Sequence, residues 1–220
     1  YPAAAIDFAT GLGSSARIQA VQDGTIDIAM ASHGVDSADI ARRGLVAHEV
    51  ARTAVIFAVN QFVDVTGLLR EQVCDIYSGR KPAWQLFGGT PGAIVPFMRP
   101  AEEVDAEVAL AAIECLRGLE YGSYVTVRER ADEMAESIAS TAGALGLTSM
   151  TYVQQSGGRI HALALDSVAP TSENVASGAY TLTRRAILVT KATPPAAVDS
   201  LLTFIRSKAG AGIVAANGGV

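Results

Sequence analysis

Short apolar runs alternate along the chain with stretches where apolar residues return every three or four positions, the pattern of an α/β fold. Ala4–Thr10 reads as a strand and Gly11–Ser15 as a turn. Ala16–Asp23 reads as a helix capped by Ser14 or Ser15 and stopped at Gly24. Ile26–Ala31 is the next predicted strand, followed by extended chain at Val46–Val50 and Thr53–Val59. The run Ala54-Val-Ile-Phe-Ala-Val59 suits a strand buried on both faces.

The middle of the chain predicts further alternation. Thr66 is the expected cap of a helix with Leu69, Val73, Ile76 and Tyr77 on one face, ending at Gly79. Ala93–Met98 reads as a strand. Pro100 opens a helix that carries Val104, Val108, Ala111, Ala112, Cys115 and Leu119. Thr126-Val-Arg-Glu129 has the spacing of a capping box ahead of a helix with Met134 and Ile138. Thr148–Val153 and Arg159–Leu165 read as strands, and the turn-rich Asp166–Tyr180 holds a short helix around Glu173–Ala176. Arg184–Lys191 is a strand and Pro194–Val214 one terminal helix.

Composition narrows the function classes. Of 220 residues, 50% are apolar, enough for a substantial core, and only 18% are charged. A net charge of −5 disfavours nucleic acid or an anionic membrane as a general partner, while leaving room for a small anion in a local pocket. The longest aliphatic run falls far short of the ~20 residues that span a bilayer. The chain opens Tyr1-Pro2-Ala3 without Met or a basic leader, which reads as a trimmed chain. Cys74 and Cys115 share no metal-ligand spacing. Cys115 on an apolar stripe reads first as a buried free thiol, with a bridge to Cys74 left open because sequence does not give the distance.

The segment Gly11-Leu-Gly13-Ser14-Ser15-Ala16 carries the most chemistry. Glycines let backbone approach a ligand, serines donate hydroxyls, and a helix start presents free N–H groups with partial positive charge. Its G-x-G-x-x-A form loosely matches a dinucleotide fingerprint, but the acid this requires at the end of the next strand is absent, Asp27 sitting at the beginning instead. Ser32 and His33 follow the Ile26–Ala31 strand, and Arg99 follows Ile94–Met98, both at the strand ends where open α/β sheets place ligands. A guanidinium there grips an oxyanion bidentately. Glu102 and Glu103, in the first turn of the next predicted helix, point to the alternative that Arg99 is salt-bridged within the protein. No GxSxG, HExxH, P-loop or CxxC occurs, and His33, His48 and His161 are dispersed.

Several segments together resemble a known family. Gly11-Leu-Gly-Ser-Ser-Ala-Arg-Ile-Gln-Ala followed by Asp23-Gly-Thr-Ile-Asp-Ile-Ala-Met-Ala-Ser is similar to the GxGSSxGxxx…GxxDxxxxS region of the phosphate-binding proteins of ABC importers. Leu69–Gly79 with Trp84 resembles their LxxIFSGxxxxW, Thr141-Ala-Gly-Ala-Leu-Gly-Leu their xPGAIGY, and Asp166–Tyr180 their DGVAPTxENVxSGxYPL. Leu202–Gly218 resembles the closing helix. The matches keep the family's order over nearly the whole chain.

The resemblance implies a type II periplasmic-binding-protein fold: two α/β lobes, about 1–58 plus 187–220 and about 59–186, with the solute in the cleft between them. It implies a periplasmic or extracytoplasmic binding protein without catalysis or cofactor. Its partners would be a small oxyanion, phosphate first, and a membrane permease. The ligand-binding residues so implied are Ser14, Ser15, Ser32 and Arg99, to which the glycine-rich turn adds Gly13 and the strand end His33. Ser32 falls where phosphate-specific members place an aspartate and others carry serine. Two departures stand out. The family's R-x-x-G-S-G-T helix start is here Arg99-Pro-Ala-Glu-Glu-Val, which removes several donors, and the family's first strand–loop–helix unit has no counterpart before Tyr1. A same-fold sensor or binding module with a different or lost ligand is the main alternative, and a hydrolase built on Ser14 and His33 a weaker one.

Overall fold

Ala54–Asn60 is buried at every position, as expected of a central strand covered on both faces. This strand organises the larger of two units in the computed structural model, which describes residues 5–8, 13–32, 35–119, 121 and 123–220, with Ser14 described through its backbone alone. In chain order the elements are α1 (Ser14–Asp23), β1 (Ala29–Ala31), α2 (Ser37–Arg42), β2 (Leu45–Asn60), β3 (Gly67–Leu68), α3 (Arg70–Tyr77), β4 (Val95–Met98), α4 (Val104–Ala112), β5 (Thr126–Val127), α5 (Ala131–Ser140), β6 (Ala144–Ser149), α6 (Met150–Gln155), β7 (Ile160–Ala162), β8 (Ala164–Leu165), α7 (Ser172–Ala176), β9 (Thr183–Lys191), α8 (Ala196–Arg206) and α9 (Lys208–Ala216). The mixed α/β class expected from the alternation is what forms. The first unit comprises 1–52 and 185–214, the second 53–184 and 215–220, so β2 and β9 each contribute to both.

In the first unit β9 pairs antiparallel with β1, Met30 opposite Leu188. The core is small: Ile18 and Val21 of α1, Ala29, Ile40, Leu45, Ile187 and Val189. Gly24 ends α1 in the left-handed conformation (φ 75°), its N–H on the carbonyls of the last turn, as its position in the sequence predicts. Asp36 caps α2 through Oδ1 on Ala38 N, at 2.8 Å. His48 is held in one tautomer. Arg206 Nη2 donates to Nδ1 (2.8 Å), which leaves Nε2–H to donate to Thr190 Oγ1 (3.0 Å).

In the second unit β2 pairs antiparallel with β6, Val55 opposite Ser149 and Val59 opposite Leu145. β4 lies parallel to β6 on one side and to β5 on the other. Met134 and Ile138 of α5 pack onto β6 at Gly146, where an added Cβ would meet both side chains at 2.8 Å. The Asn60 amide donates to Ile138 O and Ala139 O at 3.0 and 2.9 Å, finishing α5 from the end of β2. The Tyr77 hydroxyl, fully buried, donates to Phe97 O at 2.8 Å, and burial pushes its pKa upward.

Cys74 and Cys115 form a disulfide, their Cα atoms 6.0 Å apart, so the free-thiol expectation gives way to a bridge between α3 and the 3₁₀ turn Glu114–Leu116. Other boundaries differ from the sequence reading for identifiable reasons. Residues 5–8 carry no strand, and the rest of the predicted strand Ala4–Thr10 lies outside the described residues. Thr66 does not cap a helix; Gly67–Leu68 pairs with β8, and α3 starts only after Leu69. Thr126 pairs with Phe97 as edge strand β5 instead of opening a capping box. Pro100 starts a turn, and α4 begins at Val104. That helix ends at Ala112, where Arg117 donates to Leu110 O and Ala111 O at 3.1 and 3.2 Å. The predicted strand Thr148–Val153 is the end of β6 and the start of α6. The terminal helix breaks at Ser207, whose hydroxyl accepts from Gly210 N (3.2 Å) and starts α9.

Candidate functional site

Three parallel strands of the second unit end side by side, and their carboxyl ends are where an open α/β sheet presents ligand-binding groups. Continuing the pairing of Val95 with Ala144 along β4 and β6 brings Arg99 level with Thr148. Met98 opposite Val127 brings Arg99 level with Arg128 past β5. The ledge thus carries Arg128, Arg99, Thr148 and Ser149 in adjacent positions.

Arg99 is 5% exposed, an unusual place for a guanidinium unless something pairs it. Its Nη1 donates to Arg128 O at 2.7 Å, and its Nη2 meets Glu103 Oε2 at 2.9 Å. Its Nε–H has no hydrogen-bond partner among the described residues. The Arg128 side chain turns away from the ledge, over the Phe97 ring and onto Ser137 Oγ at 2.7 Å. Thr148 Oγ1 and Ser149 Oγ are buried and also lack hydrogen-bond partners among the described residues. Buried polar groups are nearly always satisfied, by protein, water or a ligand. This concentration of unsatisfied atoms makes the ledge the candidate site.

A second ion pair stands beside the first. Asp105, 7% exposed, lies 3.4 Å from Arg184 Nη1, and its Oδ1 has no hydrogen bond. Burial raises its pKa, against the lowering pull of Arg184 and Arg99. Of the sequence candidates, Arg99 therefore stands at a strand end as expected, and it is also salt-bridged to Glu103, as the first-turn glutamates suggested.

The first unit carries the remaining candidates. Gly13 precedes α1 in extended conformation, with open space where a Cβ would stand. α1 has no acidic residue in its own first turn. Ser15 is exposed in that turn, and Ser32 is half-buried just past β1. Arg17 Nη1 ties α1 to β1 through Met30 O at 3.1 Å. His33 and the Ser14 side chain lie outside the described residues. Missed by sequence reasoning were Thr148, Ser149, Asp105 and Arg184. The only signal for the first two was a Thr-Ser pair closing a buried apolar run.

A model of the PBP superfamily domain matches residues 1–209. The chain belongs to the PBP superfamily. Phosphate-binding protein PstS of Bacillus subtilis (strain 168) is 27% identical over 194 residues, covering 86% of this chain and 60% of that protein. The chain thus spans about 60% of the length of this curated relative. A Clostridium perfringens protein, assigned to phosphate ABC transport as a substrate-binding protein and solved with bound phosphate, superposes with a TM-score of 0.76 at 25% identity. The match covers 94% of this chain and 84% of that one. An ABC-type phosphate transport receptor from Vibrio cholerae shares the fold, with a TM-score of 0.67 at 24% identity over 96% of this chain and 86% of that one. The resemblance read from the motifs agrees with these comparisons, which give a PBP superfamily domain and relatives named as phosphate-binding or substrate-binding proteins.

Proposed function

We propose that the chain is the extracytoplasmic solute-binding component of a phosphate-type ABC importer and holds a small tetrahedral oxyanion, phosphate first among them, with a membrane permease as its partner. The observation that carries this reading is Arg99: a buried guanidinium at the carboxyl end of a parallel strand with its Nε–H unpartnered, in a chain related to PstS. Tetrahedral oxyanions offer the acceptor oxygens that this donor and the orphan hydroxyls of Thr148 and Ser149 lack. Gly13, Ser14, Ser15, Ser32 and His33 remain candidate ligand-binding residues on the strength of their sequence pattern. The disulfide supports an oxidising compartment, and among the described residues no helix is long and apolar enough to cross a membrane.

Isothermal titration of the folded protein with phosphate, sulfate, molybdate and tungstate tests the reading. Saturable binding of at least one of them, lost in Arg99→Ala, is expected. Absence of heat with all four contradicts the oxyanion assignment and favours the same-fold module whose ligand differs or has been lost.

A further inference from the structure

Glu103 sits on Arg99 in an unusual way. It is the residue preceding α4, yet its side chain makes no capping bond to the helix. It gives Oε2 to Arg99 Nη2 at 2.9 Å, and its side chain is 47% exposed against 4% for that of Arg99. A carboxylate is itself an oxyanion, with the same acceptor geometry toward a guanidinium edge as phosphate or sulfate. Nη2 and Nε share one edge of the guanidinium; Glu103 forms an ion pair with Nη2 alone, and among the described residues Nε–H has no hydrogen-bond partner.

We propose that Glu103 is a built-in competitor for the anion on Arg99: its carboxylate holds the edge that an incoming oxyanion takes, and binding exchanges the one for the other. The proposal rests on the reading of Arg99 as the anion-holding residue. A ligand with two oxygens on Nε and Nη2 satisfies the orphan donor that Glu103 leaves open. Arg99 keeps its place during the exchange, because Nη1 remains on Arg128 O at 2.7 Å. Glu103 moves into water without giving up any other bond, being half exposed already. The arrangement keeps the buried guanidinium paired when no solute is present, which avoids leaving an uncompensated charge. The cost is a lower affinity, since every ligand must first displace an internal one.

The test is titration of inorganic phosphate and of sulfate into the wild-type chain, Glu103→Gln and Glu102→Gln. The last removes the same charge from the neighbouring exposed residue. Expected is at least a fivefold lower Kd in Glu103→Gln and little change in Glu102→Gln. In the wild-type chain, the Arg99 Nε–H resonance is expected to shift on saturation with phosphate. Equal tightening in both variants reduces the effect to overall charge and overturns the proposal. Binding in the wild type with no tightening in Glu103→Gln, or an Arg99 Nε–H signal that does not move at saturation, also overturns it while leaving oxyanion binding standing. No binding in any of the three chains removes the oxyanion reading itself, and the proposal with it.

Discussion

Cutting the Cys74–Cys115 bridge is the sharpest perturbation of the second unit. The cysteines are 41 residues apart in sequence. In the loop-entropy treatment a closed loop of that size restricts the unfolded chain by about 13 cal/mol/K, or about 4 kcal/mol at 25 °C. Both halves stay packed without the bridge, α3 through buried Val73, Ile76 and Tyr77 and the 3₁₀ turn through Leu116 and Ile113, so the loss is that of loop closure. The double variant Cys74→Ala/Cys115→Ala is therefore expected to lose stability on the order of 10 °C in Tm for a unit of this size. The single tryptophan, Trp84, lies in this unit, 3% exposed with Nε1 on Gly143 O at 3.0 Å. Its fluorescence during urea or thermal unfolding reads this unit directly. The oxidised protein melts high, and the protein in reductant melts with the double variant. The urea m-value rises when the bridge is cut, because the unfolded chain expands. Alkylation in denaturant without reductant finds no free thiol. Two free thiols, or a Tm unmoved by reductant, would refute the reasoning.

Three further outcomes follow from individual groups. Asp105 is buried and its pKa is raised, so ionising it opposes folding: the penalty is present above its raised native pKa and disappears as pH falls below the unfolded value of 3.8. Asp105→Asn should thus stabilise the second unit at pH 7 and make no difference in acid; a variant less stable at pH 7 contradicts this. His48 is kept neutral by burial and by Arg206, with its pKa below 6.5. Its contribution to the first unit is complete above pH 6.5 and fades as pH falls through the lowered native value, so the stability slope between pH 7.5 and 5 should flatten in His48→Gln. Gly143 has φ 77° and no room for a Cβ against Ala93 O. Gly143→Ala should cost about 2–4 kcal/mol, combining left-handed backbone with overpacking, and a melt within a degree of wild type would count against it.

What the sequence made legible was what local chemistry decides. The Ala54–Val59 run, the Gly24 stop and the helix at Ser172–Ala176 all follow from residues within a few positions of one another. Thr66 and Thr126 misled because cross-strand partners, Ala164 beside Gly67 and Phe97 beside Thr126, outweighed their capping potential. Thr148–Val153 misled because its β-formers Thr, Tyr and Val sit at the strand-to-helix junction, where α6 begins at Met150. In the site, Arg99 was visible as a charge placed just after an apolar strand, and Glu103 as an acid near a helix start. Thr148, Ser149 and the Asp105–Arg184 pair were not visible, because only the parallel order of β5, β4 and β6 and the long-range return of β9 bring them to the ledge. The cysteine pairing depended likewise on a distance that only the fold provides.

Everything proposed for this chain depends on the Arg99 guanidinium holding a tetrahedral oxyanion. Crystals grown with tungstate, whose anomalous scattering separates it from water and phosphate, test this most directly. Oxyanion binding there gives an anomalous peak within hydrogen-bond distance of Arg99 Nε and Nη2, with Glu103 displaced. Tungstate bound elsewhere on the protein, with Glu103 still on Arg99 and nothing at Nε, would contradict it.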